Sequence, residues 1–215
     1  TEGSTSFTDS STNAFTPTPT GAPVLSTAQA KFGATSLYTD GYFTGGENLV
    51  YSSNAAFGFG LADFTIEMWV RRTSNTTGVN NLLFLLGTLG AAASFSLFVT
   101  TAGTPGIRFG AAGAPASYSS INLDLNTWKH VAVVRSGATW SLYIDGVLGV
   151  SYTNTLDLGT TAPFAIGSAS GNPCCITGHT DMLRVTKGVA RYTATFTPAT
   201  VAFEAVAQYV VGGVF

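Results

Sequence analysis

In D-F-T-I-E-M-W-V-R-R, residues 63–72, the side chains alternate in character from one position to the next. Successive side chains of a strand point to opposite faces, so this alternation predicts a β-strand with two unlike faces. The apolar face carries four residues: Phe64, Ile66, Met68 and Val70. The other face is more polar and carries another four: Thr65, Glu67, Trp69 and Arg71. Such a strand belongs in one layer of a two-sheet sandwich.

A second block, W-K-H-V-A-V-V-R-S-G-A-T-W-S-L-Y-I-D-G-V-L-G-V-S-Y at residues 128–152, predicts a run of antiparallel strands. Ser136-Gly137 opens one tight turn and Asp145-Gly146 forms the next. The Asp-Gly pair indicates a two-residue type I′ hairpin, since that turn needs a positive φ at both central positions. We therefore expect three consecutive antiparallel strands over residues 128–153.

These two blocks predict an all-β protein, a two-sheet antiparallel β-sandwich or jelly roll, because no segment of the sequence shows sustained helical periodicity. A chain of 215 residues can bury a substantial core without a disulfide or a metal ion. We expect ten side chains to face that core: Phe64, Ile66, Met68, Val70, Val131, Val133, Leu142, Ile144, Leu183 and Val185.

The apolar run from Leu82 to Val99 contains no charged residue, and its length alone would allow a membrane span. Gly87 and Gly90 interrupt the run, and after them apolar residues recur at every second position from Phe95 onward. Two buried strands joined by a turn therefore explain the run better. Membrane insertion is not expected.

The chain is poor in charge: charged residues make up 9% of it, and the formal net charge is −2. The sequence has no basic patch, so the electrostatic attraction that dominates nucleic-acid binding is missing, as is polybasic contact with a membrane. Nucleic acid is therefore not an expected partner. Low surface charge suits a protein held in a large assembly, which favours oligomerisation and contacts with other subunits.

Five motifs occur in an order that resembles a known family. They are S-T-A-Q-A-K-F-G-A-T-S-L-Y-T-D-G at 26–41, D-F-T-I-E-M-W-V at 63–70, W-K-H-V-A-V-V-R at 128–135, L-Y-I-D-G at 142–146 and H-T-D-M-L-R-V-T-K-G-V-A-R-Y-T-A-T-F-T-P at 179–198. In this order they resemble the laminin-G-like jelly rolls of the concanavalin-A-like lectin/glucanase superfamily, of the type found in bacteriophage virion proteins. The resemblance implies a jelly-roll fold and a role as a surface module.

The resemblance implies one laminin-G-like jelly-roll domain over residues 1–200, with an irregular Ser/Thr/Pro-rich start at 1–30. Residues 201–215 form a C-terminal extension beyond the family's usual end. Related domains also carry a short apolar strand before the position of Thr1, and its absence would leave a sheet edge unpaired. We expect the β-prone extension to pair with that edge, on its own domain or as an assembly strand on a neighbouring subunit. Alternatively, it is a packed loop or a linker.

Calcium is a cofactor that the resemblance implies, because laminin-G-like relatives often bind it through carboxylates and backbone carbonyls. Asp40 and Asp181 match such positions. Calcium takes six to eight oxygen ligands, so two carboxylates would leave the remainder to carbonyls and water. The family often has a second acidic residue beside Asp181, where this chain has Met182. The alternative is that Asp181 caps a turn or pairs with Arg184.

Some members of the superfamily are glycoside hydrolases, which need a pair of carboxylates facing one cleft. Glu67 has no second acid on its strand, so we interpret it as a paired polar residue on a semi-exposed face. We therefore predict that the protein is not an enzyme. We also expect His130 and Lys129 not to share a catalytic cleft with Glu67.

The adjacent cysteines Cys174 and Cys175 cannot link distant parts of the fold, and we expect them to be free or bridged to each other. A Cys–His nucleophile that combines one of them with His179 is formally available, but the sequence offers no residue to orient the histidine. Two cysteines beside one histidine also make an incomplete zinc site.

Two functions from different classes fit these observations. The first is a non-catalytic structural, decoration or fibre domain on a phage surface, which mediates protein assembly and attachment to a host. The second is a glycan-binding, lectin-like module of a secreted or surface bacterial protein. Both place the chain on a virion surface or outside the cell, with other virion or surface subunits and a host-surface glycan as expected partners.

Glycan binding would use exposed aromatic side chains beside amide or carboxylate groups. Four tyrosines are candidate platforms: Tyr42, Tyr51, Tyr118 and Tyr152. For each of them the alternative is a packing residue or a scattered surface residue.

Overall fold

A computed structural model describes residues 1–41, 46–75, 81–110, 116–167, 175–203 and 209–213 of the chain. One short 3-10 turn, Ala55–Phe57, is present among them. The other regular elements are fifteen strands: β1 Thr18–Thr20, β2 Val24–Ser26, β3 Ser36–Asp40, β4 Asn48–Asn54, β5 Phe64–Arg72, β6 Asn81–Leu86, β7 Phe95–Val99, β8 Pro105–Phe109, β9 Ala116–Tyr118, β10 Lys129–Ser136, β11 Thr139–Ile144, β12 Val147–Thr153, β13 Ala162–Gly167, β14 Thr177–Lys187 and β15 Tyr209–Gly213.

The strands form two sheets, and each pair of neighbouring strands is antiparallel. One sheet has seven strands in the order β1-β4-β13-β6-β7-β8-β9. The other has eight, in the order β12-β11-β10-β5-β14-β3-β2, with β15 added beside β14. The predicted all-β, two-sheet antiparallel sandwich is thereby confirmed.

The core lies between the sheets, and all ten side chains that the alternation assigned to it are buried there. Trp140 is packed edge-on against the rings of Phe64, Phe95 and Phe109, with centroids 4.7–5.1 Å apart. Its indole N–H donates to the backbone oxygen of Asn154 at 3.0 Å, which satisfies the only polar atom of that buried side chain.

The hairpin predicted at Asp145-Gly146 is confirmed. Asp145 has a φ of 50° and Gly146 a φ of 78°, so both central positions are in the left-handed region that a type I′ turn requires. The turn joins β11 to β12, and β10 to β12 are the three consecutive strands expected over residues 128–153.

The apolar run at residues 82–99 forms two buried strands, β6 and β7, that pair with each other as expected. Gly87, with a φ of 85°, lies in the turn that joins them. Among the residues that the structure describes, no helix has the length and apolar character needed to span a membrane.

Strand β14 contains a bulge that decides which of its residues face outward. The pairing with β5 shifts between Asp181 and Arg184, and Met182 adopts a φ of 52° within the shift. One extra residue in β14 therefore places Arg184, rather than Leu183, opposite Glu67. Leu183 can then point into the core while Arg184 lies beside the glutamate on the outer face.

The outer face of β5 is covered, so the expectation that Glu67 lies on a semi-exposed face is wrong: the residue is 1% exposed. The cover is the C-terminal arm, residues 188–203, which crosses the eight-stranded sheet. The N–H of Phe196 donates to the carbonyl of Gly146 at 3.0 Å, and the stacked rings of Phe196 and Tyr192 lie over Tyr143 and its neighbours. Strand alternation alone could not show that an irregular segment more than a hundred residues away would cover this face.

Strand β15, from the C-terminal extension, pairs with β14 of its own chain. It lies along residues 183–186 of β14, beyond residues 177–180, where β3 pairs with the same strand. The extension therefore pairs with the edge of the sheet that β3 leaves open. Its role as an assembly strand on a neighbouring subunit stays a prediction.

Candidate functional site

A cavity of about 350 Å³ opens on the outer face of the eight-stranded sheet, between the C-terminal arm and the turn at residues 31–32. We call it the arm pocket. Strand β5, the β11–β12 turn, the 31–32 turn and the arm each contribute to its lining: Lys31, Phe32, Trp69, Asp145, Thr197, Pro198, Ala199 and Thr200.

Trp69 is the aromatic residue that β5 contributes to the arm pocket, and it is only 7% exposed. Phe32 and His130 contact its ring edge-on, with centroids 6.1 Å and 5.3 Å away. The Lys31 ammonium lies 3.9 Å from the ring centroid, close enough for a cation–π interaction. The buried indole N–H of Trp69 has no hydrogen-bond acceptor among the described residues, so it is a donor left unused next to a cavity.

Asp181 fixes the turn that carries Lys31 and Phe32. One carboxylate oxygen accepts the backbone N–H groups of these two residues at 2.8 Å and 3.1 Å, and the other accepts that of Met182 at 2.8 Å. Burial raises the pKa of Asp181 to about 6, although the three donors act in the opposite direction. Asp181 therefore caps a turn, which was one of the two alternatives to calcium; the other, a pair with Arg184, is wrong because Arg184 binds Glu67.

The two aspartates suggested for calcium do not fit a shared site. Asp40 pairs with Thr177, four residues before Asp181 on β14, which is roughly 13 Å along the strand. The oxygens of Asp181 already accept three backbone donors. The described part of the chain also contains no group of three or more His, Cys, Asp or Glu side chains that could hold a metal ion.

Asp145 supplies the carboxylate at the rim of the arm pocket. One of its oxygens accepts the backbone N–H of His130 at 2.9 Å, and the other lies 3.0 Å from the Lys129 ammonium. Because the Asp-Gly turn fixes its backbone, the carboxylate is held at the end of the hairpin. Lys129 offsets most of its charge, although the same ammonium also lies 3.6 Å from Asp124.

A buried charge network lies beside the arm pocket, centred on Glu67. Its carboxylate accepts hydrogen bonds from Arg184 Nε at 2.7 Å, from His130 at 3.1 Å and from Tyr192 at 2.9 Å. The Nη2 atom of Arg184 also forms an ion pair with it at 2.6 Å. Burial alone would raise the pKa of Glu67, but the bond from His130 and the charge of Arg184 outweigh it and hold the pKa below its ordinary value.

Sequence reasoning missed the contact between His130 and Glu67. The two side chains touch, but they are 0% and 1% exposed, so they form a sealed structural pair and do not line a cleft. The register places His130 opposite Trp69. Glu67 is two positions from Trp69 on β5, so it lies on the same face and diagonally across from His130. Aligning the two alternation patterns would have brought these diagonal neighbours within reach.

The second histidine is also engaged in the structure. The Nδ1 atom of His179 lies 2.9 Å from the Ser36 hydroxyl, which itself donates to the Gln29 carbonyl, so the histidine is the donor of that bond. Cys175 is a buried free cysteine, and burial raises the pKa of its thiol, which disfavours a nucleophilic thiolate. Cys174 lies outside the described residues.

The four candidate tyrosines have different surroundings. Tyr51 is 2% exposed and packs between Phe57 and Phe164 in the core, because its position on β4 points inward; it is not a surface platform. Tyr118 and Tyr152 are exposed at 48% and 46%. Neither of them lines the arm pocket. Tyr42 lies outside the described residues.

The residues of the arm pocket were not identified from the sequence. Trp69 gave the one usable signal, since a tryptophan on the polar face of an otherwise alternating strand needs an aromatic or apolar cover. Its partners Lys31 and Phe32 are more than thirty residues away in sequence and reach it only through the capped turn at Asp181.

Several solved structures share the fold, among them a domain of an arabinanase, a phage tailspike domain and a sialidase. Domain 4 of AbnA, an arabinanase from Geobacillus stearothermophilus in complex with arabinotriose, is 18% identical, with a TM-score of 0.56 over 78% of this chain and 76% of that one. The enzymatically active domain of tailspike protein 2 from bacteriophage CBA120 is 15% identical, with a TM-score of 0.61 over 100% and 33%. Trypanosoma rangeli sialidase is 20% identical, with a TM-score of 0.54 over 76% and 26%.

The chain spans about three quarters of the arabinanase domain, but a third or less of the tailspike domain and the sialidase. At these identities the likeness shows the fold alone. No curated protein sequence matches the chain. A laminin-G family model, described as the concanavalin A-like lectin/glucanases superfamily, matches residues 43–192. Because that match covers more than half of the sequence, the chain belongs to the laminin-G-like members of the concanavalin A-like lectin/glucanases superfamily.

Proposed function

We propose that this chain is a non-catalytic carbohydrate-binding module exposed on a phage particle or another extracellular surface, and that the arm pocket is its binding site. The observation that carries the proposal is the buried indole N–H of Trp69, which has no acceptor among the described residues and belongs to a ring that lines a cavity. A buried donor without a partner is costly, so a ligand oxygen that accepts from it gains affinity.

The composition of the arm pocket suits a sugar. Ligand sites combine apolar and aromatic walls with a few placed polar groups, in cavities of roughly 300–1,000 Å³. Phe32 and Pro198 offer apolar surface for the C–H face of a ring, while the hydroxyls of Thr197 and Thr200 and the carboxylate of Asp145 can exchange hydrogen bonds with sugar hydroxyls. A cavity of about 350 Å³ has room for one or two sugar rings.

The absence of catalysis is part of the proposal. A glycosidase needs two carboxyl groups flanking one bond, and the described lining of the arm pocket contains only that of Asp145. Glu67 is sealed from solvent and already accepts hydrogen bonds from Arg184, His130 and Tyr192. Purified protein should therefore leave β-glucan and arabinan oligomers intact; turnover that Glu67→Gln abolishes would contradict this.

The experiment that tests the binding site is a glycan array probed with the purified chain and two variants. Ala199→Trp fills the arm pocket, whereas Ala194→Trp places the same side chain on an exposed part of the arm that does not line it. We expect Ala199→Trp to lose the glycans that the wild type binds and Ala194→Trp to keep them. No bound glycan, or equal binding by both variants, would overturn the proposal.

A second candidate function is assembly within a virion, as a structural, decoration or fibre domain. It is favoured by the fold likeness to a phage tailspike domain over the whole chain, and by β15, which adds a strand to the sheet edge from a segment beyond the domain. Truncation after Thr200 tests it. We expect a lower melting temperature and loss of incorporation into particles; a truncated chain that keeps its melting temperature, oligomeric state and incorporation would make the extension a passive linker.

A further inference from the structure

The Lys31 ammonium is the starting point for the chemistry of the ligand. It lies 3.9 Å from the ring centroid of Trp69 and 5.7 Å from that of Phe32, so both of its close contacts are aromatic faces. No carboxylate of the described residues lies within ion-pair distance of it. A partly buried cation without an anionic partner gains most from a ligand that supplies one.

The position of Lys31 is fixed by the fold. Its own backbone N–H and that of Phe32 both donate to Asp181, whose side chain is buried in β14. The turn is thus pinned to the sheet on one side, while the ring of Phe32 contacts Trp69 on the other. Because the backbone of this turn is fixed, Lys31 loses less conformational entropy when it binds a ligand than a lysine on an untethered loop would.

Asp145, the other charged residue of the lining, does not cancel Lys31. Its carboxylate lies 3.0 Å from the Lys129 ammonium and accepts the His130 backbone N–H at 2.9 Å. The Lys129 ammonium is closer to Asp145 than to Asp124, which lies 3.6 Å away, so it offsets most of the Asp145 charge. What the described lining leaves unused is a cation, on Lys31, and a neutral donor, on Trp69. Both favour a ligand that accepts hydrogen bonds, and the cation also favours one that carries negative charge.

We infer that the arm pocket takes an acidic saccharide, a sugar whose carboxylate is received by Lys31 and the Trp69 indole N–H. The inference rests on the proposed function and adds the substrate class to it. Phe32 and Pro198 then contact the apolar face of the same sugar, and Asp145 accepts from its hydroxyls. A carboxylate provides two acceptor oxygens, one for the Lys31 ammonium and one for the Trp69 indole N–H.

The test is an array of matched pairs that differ only in the acid: sialyllactose with lactose, and galacturonate oligomers with galactose oligomers. Four proteins are compared: wild type, Lys31→Met, Lys31→Arg and, as a control, Lys187→Met, whose lysine lies outside the arm pocket and donates to the Ala55 carbonyl. Each variant is first shown to keep the wild-type melting temperature.

We expect the wild type to prefer an acidic member of a pair over its neutral partner by about tenfold or more, as a charge-assisted hydrogen bond would give. Lys31→Met should abolish that preference, Lys31→Arg should restore most of it and Lys187→Met should leave it unchanged. If neutral partners bind equally well, or Lys31→Met keeps the preference, the acidic ligand is refuted while the sugar site stands. If no glycan binds at all, the proposed function fails as well.

Discussion

The carboxylate of Glu67 connects three parts of the molecule at the scale of single residues. It accepts from Arg184 on β14, from His130 on β10 and from Tyr192 on the C-terminal arm. Each of these groups would be costly to bury alone, and the shared carboxylate offsets part of that cost, although Nδ1 of His130 has no partner among the described residues. The network therefore fastens the arm to the sheet and so determines where one wall of the arm pocket lies.

We predict that Glu67→Gln lowers the free energy of unfolding by about 3 kcal/mol, because it leaves the buried guanidinium of Arg184 without its counter-charge. Chemical denaturation measures this. Asp124→Asn is the control: it removes an acid that is 67% exposed and 3.6 Å from Lys129, and it should change stability by little more than the experimental error. A Glu67→Gln protein as stable as the control would show that the network does not hold the fold.

Asp181 gives a prediction about pH. Burial raises its pKa to about 6 in the folded chain, above the ordinary value of about 3.9. Between these values the folded protein binds a proton that the unfolded chain releases, so this group stabilises the fold at low pH and its contribution is lost as pH rises through about 6. Asparagine cannot titrate, so Asp181→Asn lacks this dependence.

The free energy of unfolding of wild type, relative to that of Asp181→Asn, should therefore rise by about 1 kcal/mol as the pH is lowered from about 7 to about 5. Denaturation midpoints of the two proteins, measured across that range, test it. Parallel curves would mean that Asp181 keeps an ordinary pKa in the folded chain.

At the scale of elements, the β11–β12 turn does two jobs, and both depend on Gly146. Its φ of 78° suits glycine, and a Cβ at this position would collide with the carbonyl oxygen of Phe196. The same glycine accepts the Phe196 N–H at 3.0 Å. The hairpin is thus also the place where the C-terminal arm docks.

We predict that Gly146→Ala displaces the arm. Gly137→Ala is the matched control, since Gly137 also has a positive φ, of 58°, but nothing lies within 4 Å of an added Cβ. The control should cost about 1 kcal/mol from backbone strain alone, and Gly146→Ala should cost more. Amide hydrogen exchange provides the specific readout: the Phe196 amide should lose protection in Gly146→Ala only. Equal exchange at Phe196 in both variants would rule out docking through this contact.

The strands could be predicted because their signal is local. Phe64 to Val70 and Val131 to Ile144 carry their inward or outward direction in the two-residue period, and the Asp145-Gly146 turn carries its own backbone geometry. The bulge at Met182 could not be predicted in this way, since a methionine has no preference for a positive φ. The bulge is imposed by the packing around β14, and it sets the register in which Arg184 pairs with Glu67.

At the scale of the whole molecule, the candidate site lies where segments distant in sequence meet on the outside of a sandwich whose interior the sequence specifies well. Lys31, Trp69, Asp145 and Thr197 come from four separate parts of the chain. No sequence periodicity relates these residues. They are brought together by the buried carboxylate of Asp181, the β11–β12 turn and the C-terminal arm. The exposed tyrosines that composition suggested as platforms, Tyr118 and Tyr152, lie apart from this site.

Carbohydrate binding at Trp69 is tested by following the indole N–H signals in a ¹H–¹⁵N spectrum during titration with a glycan that the array identifies. The chain has three tryptophans. Trp140 already donates to the Asn154 carbonyl in the core and serves as an internal control, whereas Trp69 has no acceptor among the described residues. We expect the Trp69 signal to move downfield until the site is saturated, while that of Trp140 stays in place. A bound glycan that leaves the Trp69 signal unmoved would contradict binding at Trp69.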